Sequence, residues 1–169
     1  MLVLPGFIDA HVHFVQTDIV GSHGRRLLEW LETYTFPAER AFADAGHAHE
    51  VAEFFVRELL RNGTTTALVM GSVHPGSVDA IFAAAQRRGM RLIAGKVMMD
   101  RNCPENLRDT AESAYADSKA LIERWHGKGR LQYAITPRFA PTSTPEQLTA
   151  AGRLAAEHPD VFVIGRGHV

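Results

Sequence analysis

Apolar residues recur along the chain in two alternating rhythms. Phe7-Ile8-Asp9-Ala10-His11-Val12-His13 closes an apolar opening segment with the two-residue alternation of a short strand. Leu27, Leu28, Leu31 and Tyr34 then fall at helical spacing between Gly24 and Phe36. A stronger helix is expected from about His47 to Arg61, where Val51, Phe54, Phe55 and Leu59 share one face. Asn62-Gly63 stops it, with Gly63 as a left-handed cap. Thr64 to Met70 is β-branched and apolar, the composition of a buried strand. The pattern continues with a helix from Pro75 to Gly89, a strand from Arg91 to Met99, a long amphipathic helix from Pro104 to Trp125 and a strand from Leu131 to Thr136. Thr144-Pro145-Glu146-Gln147 opens another helix: a threonine cap, proline at the first position and glutamine three residues after the cap. That helix ends near His158-Pro159, and Asp160 to Ile164 reads as a last strand.

Strands that alternate with helices imply a parallel α/β sheet with helical crossovers. Two architectures satisfy this order. One is an open doubly wound sheet. The other is a partial (β/α)8 TIM barrel supplying about five of eight βα units, since a whole barrel takes ~250 residues. Length alone favours the open sheet. With no repeat, low-complexity run or linker, residues 1–169 read as a single domain.

Composition changes this picture little. Of the 169 residues, 46% are hydrophobic and 22% charged, which excludes a disordered tail, a collagen-like chain and a coiled coil. Lys+Arg number 18 against 19 Asp+Glu, so no basic surplus points to nucleic acid or to a membrane surface. The clearly apolar stretches fall short of the ~20 residues of a membrane span, and no signal peptide is expected. One cysteine, Cys103, fits a cytoplasmic setting.

His11-Val12-His13 carries the most chemistry. Residues i and i+2 of a strand face the same way, so both imidazoles can converge on one ion. The alternative is a pair of partly buried histidines satisfied by backbone groups. The surrounding Pro5-Gly6-Phe7-Ile8-Asp9-Ala10-His11-Val12-His13 resembles the first barrel strand of the amidohydrolase superfamily, PGFID-x-H-x-H. Further segments look like the guanine deaminases within it: His11 to Asp18, Leu28-Glu29-Trp30-Leu31 through Tyr34-Thr35-Phe36-Pro37-Ala38-Glu39, Asn62 to Thr66, Gly95 to Asn102, and Thr136-Pro137-Arg138-Phe139.

That resemblance implies a β/α barrel, against the preference from length, and hydrolytic deamination of guanine to xanthine and ammonia at one Zn2+. It implies His11 and His13 as zinc ligands, Gln16 as a purine contact, and Arg138 with Phe139 as the pair that touches the base. These residue types suit the task, since Arg138 offers a fork of donors and Phe139 an aromatic face. Members of the family are typically dimers, so a homodimer is the assembly it allows. The family also uses a third histidine, expected near Arg166, a glutamate three residues later that shuttles the proton, and a fourth histidine and an aspartate from later strands. The sequence shows none of these in place, with His168 two positions late and no glutamate after Asp160. The expectation is therefore a truncated barrel domain with weak zinc binding and little or no guanine deamination.

Other residues have competing readings. His74 sits at the barrel mouth or in a solvated loop. Lys96 lies within a strand, and superfamily members that use a modified lysine make it a remote metal candidate. Asp100, Arg101 and Asn102 could shape the pocket, Trp30, Tyr34 and Phe36 could line a lid, and Cys103 reads as a small loop residue. His23, His47, His49, His126 and His158 read as solvated. Three other functions stay open: an amidohydrolase acting on another amino-heterocycle or a chlorinated triazine, a metal-dependent phosphoesterase, and a catalytically dead folding or dimerisation module.

Overall fold

The computed structural model describes residues 2–23 and 26–165. Arg166 and His168 lie outside them. Strand β1 (Phe7–His13) leads through a 3-10 turn, Phe14–Ile19, into a helical segment made of α1 (Leu27–Trp30), a π turn (Leu31–Thr35) and α2 (Phe36–Arg40). Then follow α3 (Ala45–Arg61), β2 (Thr64–Met70), α4 (Pro75–Arg87), β3 (Arg91–Gly95) and β4 (Val97–Met98). The chain continues with α5 (Ala111–Trp125), β5 (Leu131–Pro137), α6 (Pro145–Glu157) and β6 (Phe162–Val163).

Every pairing is parallel: β1 with β2, β2 with β3, β3 with β5, β4 with β5, and β5 with β6. β3 and β4 are one extended run interrupted at Lys96. Five strand positions therefore follow one another in sequence order. A doubly wound sheet reverses direction at a switch point; this sheet does not. The architecture is a partial β/α barrel, and the length-based preference for an open sheet is overturned.

Most elements fall where the sequence pattern puts them. Gly63 takes a left-handed φ of 85° after α3, a conformation that costs glycine little. Thr144 accepts from the Gln147 N–H and caps α6. Three elements differ. The helix expected from Pro104 starts only at Ala111, because Thr110 and Ser113 form a reciprocal capping box there. The last strand shrinks to Phe162–Val163. The helix expected to stop at Phe36 runs past Pro37 to Arg40. Proline lacks an N–H and crowds the carbonyl four residues back; the wider π turn ahead of it accommodates both problems. That extension brings Glu39 into the protein interior.

Two apolar clusters hold the fold. The larger lies between sheet and helices and includes Phe14, Val56, Ile81, Phe82, Leu92, Leu121 and Tyr133. The smaller gathers Leu31, Phe36, Met70, Val73, Val97, Met99 and Leu107 at the C-terminal ends of the strands, with Trp30, Cys103 and Phe139 against it. No helix among the described residues is long and apolar enough to cross a membrane.

Gly95 marks a close approach of β3 to β5: a Cβ there would run into the Ala134 carbonyl and the Thr136 hydroxyl. Gly95→Ala is expected to destabilise the protein by about 1–3 kcal/mol through overpacking, read as a lower urea midpoint at unchanged m-value.

Candidate active site

The C-terminal ends of the strands are where a barrel keeps its chemistry, and the residues singled out above collect there. His11 and His13 share one face of β1, with ring centroids 5.2 Å apart and planes tilted by 58°. The 3-10 turn that follows is anchored by buried Phe14 and Val15, which leaves Gln16 beside the histidines. His11, His13, Gln16 and Trp30 line one cavity of about 330 Å³. The Trp30 indole N–H donates to Ser22 Oγ across that wall.

Arg138 follows β5, and its backbone N–H donates to the Met98 carbonyl at 3.2 Å. Its guanidinium is not free. Nη1 donates to Glu39 Oε2 at 2.6 Å and Nη2 to Glu39 Oε1 at 3.0 Å. Arg138 is 3% exposed and Glu39 1%, so this is a buried bidentate ion pair. The guanidinium carbon also lies 5.5 Å from the Phe36 ring centroid. Gln16 Nε2 donates to the same Glu39 Oε1 at 3.3 Å. Two expected purine contacts, Gln16 and Arg138, thus meet on the carboxylate of Glu39, which motif resemblance alone does not single out. Its signal is the Trp30–Glu39 run itself, whose last residue carries a carboxylate that reaches both.

Phe139 is half-buried and lines a second cavity of about 370 Å³ with Leu31, Phe36 and Asn102. Asp100, Arg101 and Asn102 tie down the loop after β5. Asp100 accepts from the Thr144 N–H and hydroxyl, Arg101 donates to the Ala140 carbonyl, and Asn102 to that of Pro141. Burial raises the Cys103 thiol above its ordinary value, which suits a packing residue rather than a nucleophile.

Lys96 is fully buried and its Nζ lies 2.6 Å from Asp109 Oδ2. Burial nevertheless raises the Asp109 carboxyl, with the lysine pulling the other way. Among the described residues, no group of three or more His, Cys, Asp or Glu is placed to hold a metal ion. His126, expected to be solvated, instead accepts from the Tyr133 N–H through Nδ1 and pairs with Asp160 through Nε2. Its role is structural.

His74 follows β2, and its Nε2 is buried with no hydrogen-bond partner among the described residues. Burial first, and the Lys96 charge second, hold the imidazole below its ordinary 6.5. The stability this contributes is full above pH 6.5 and is lost as the pH falls from there through the lower folded value. His74→Gln is expected to flatten that acid-side slope, measured as denaturant midpoints between about pH 7.5 and 5.

Comparison with known proteins gives a consistent result. Residues 2–166 match the amidohydrolase family. A guanine deaminase from Escherichia coli is 62% identical over 96% of this chain, which spans 37% of that protein's length. A guanine deaminase structure from Bradyrhizobium japonicum superposes with a TM-score of 0.94 at 46% identity, over 96% of this chain and 35% of the other. A guanine deaminase structure from C. acetobutylicum with bound guanine in its active site gives a TM-score of 0.91 at 29% identity, over 95% and 39%.

Proposed function

Because this chain belongs to the amidohydrolase family, we propose that it binds guanine beside a metal ion and serves the hydrolytic deamination of guanine to xanthine and ammonia. The observation that carries the reading is the single cavity lined by His11, His13 and Gln16, with Gln16 joined to Arg138 through Glu39. The similarity to guanine deaminases at 62% identity supports it.

The metal in this reading is zinc. Two imidazoles on one strand face, bordering a cavity, suit its preference for nitrogen donors and fit as two members of a ligand set. When bound, zinc supplies an activated water at neutral pH. The chain's own residues do the rest. Gln16 and Arg138 provide polar groups that orient the purine. Phe139 offers a ring face for stacking. The apolar cluster of Leu31, Phe36, Met70 and Val97, against which Trp30 and Phe139 pack, keeps bulk water from that side. A single domain over residues 1–169 and a homodimer in the cytoplasm belong to the same proposal.

The test is ammonia release by the protein as its gene encodes it, zinc-loaded and chelator-treated, offered guanine, adenine, cytosine and an amino-triazine. Metal-dependent release from guanine alone is expected. Release from another heterocycle with guanine untouched would overturn the assignment.

A further inference from the structure

We infer that Glu39 is a positioning residue that fixes the polarity of Gln16 and sets it beside Arg138, so that the site selects a ring edge carrying an N–H next to a carbonyl. This rests on the purine reading above and specifies how the site would tell one purine from another.

A carboxylate held by a guanidinium at 2.6 and 3.0 Å only accepts hydrogen bonds. A glutamine amide has two interchangeable-looking ends, one donor and one acceptor. The end of Gln16 that meets Glu39 must therefore be Nε2, at 3.3 Å. Its carbonyl Oε1 is left for whatever enters the cavity shared with His11 and His13. Gln16 Nε2 and Arg138 Nη2 also converge on one atom, Glu39 Oε1. The amide and the guanidinium are therefore neighbours. Glu39 takes one N–H from each of Nη1 and Nη2, and an arginine has five. Arg138 keeps three further N–H groups beside Gln16, on a side chain that is 3% exposed.

An acceptor held beside a donor matches a lactam, a ring N–H adjacent to a C=O. Guanine and hypoxanthine carry that edge. 2-Aminopurine carries the exocyclic amine of guanine without the lactam. A fixed polar pair built for one edge, with Arg138 buried and Gln16 half-buried, leaves groups unpaired against the other, which is where discrimination arises.

The test measures equilibrium binding of hypoxanthine, guanine and 2-aminopurine to the wild-type protein, Glu39→Gln, Glu39→Asp and Gln16→Leu. The wild type is expected to prefer the two oxopurines over 2-aminopurine by at least about tenfold, one hydrogen-bonded contact's worth. Glu39→Gln can donate as well as accept, so the Gln16 amide is free to turn and the preference falls to within about threefold. Glu39→Asp keeps the charge but is one methylene shorter. It is expected to stay folded while losing part of the preference, which keeps the test valid if Glu39→Gln fails to fold. Combining Glu39→Gln with Gln16→Leu is expected to cost no more selectivity than Gln16→Leu alone, since Glu39 acts through that side chain. A purely structural role for Glu39 would weaken all three ligands equally and leave their ratio unchanged. Unchanged ratios in both Glu39 variants would overturn the inference while leaving guanine binding intact. A wild-type protein that binds none of the three purines would overturn the purine reading itself, and this inference with it.

Discussion

In the protein as its gene encodes it, replacing His13 with alanine is expected to strip the metal and to lower kcat/KM for guanine by about 10³-fold or more. The size follows from the several kcal/mol that a bound metal contributes to such hydrolyses at 1.36 kcal/mol per tenfold in rate. His11 and His13 share a strand face, with rings 5.2 Å apart, so neither can be replaced by the other. His11→Ala is expected to match His13→Ala, and the double variant to add little, because residues that act as one unit are not additive. Metal content by mass spectrometry and ammonia release provide two independent readouts. Retained stoichiometric zinc in both single variants would show that the ion binds elsewhere.

Arg138→Gln is expected to be the most destabilising single change at the site. It leaves Glu39 as a carboxylate only 1% exposed, without its ionic partner. Breaking one side of a buried pair costs about 3–5 kcal/mol, whereas removing both charges costs far less. The melting temperature should fall by roughly 10 °C, at about 2–4 °C per kcal/mol for a domain of this size. Glu39→Gln combined with Arg138→Gln should recover much of that loss. A double variant as unstable as the single one would mean that packing on Phe36, rather than charge, dominates at this position.

The histidine pair and the Arg138–Glu39 pair differ in how far the chain alone reveals them. The pairing of the histidines was legible: both end β1 two residues apart, and their rings lie 5.2 Å apart even though the register with β2 shifts between Asp9 and Val12. The capped start of α6 and the turn at Gly63 were equally local. Gln16 and Arg138 could be named from motif resemblance, but not their meeting point. Glu39 lies 99 residues from its partner Arg138. Its approach depends on a helix that continues through a proline, which local rules end at Phe36.

The sequence by itself determined the alternation of strands and helices, the histidines on the first strand and the caps at Gly63 and Thr144, because each depends on residues a few positions apart. Motif resemblance pointed to the barrel and the strand order bears it out; tertiary structure alone decided that Lys96 pairs with Asp109 and that Arg138 is bound by a carboxylate rather than free. Those outcomes are set by which distant groups must pair once water is excluded, and a buried charge takes whichever partner the packed fold brings within reach.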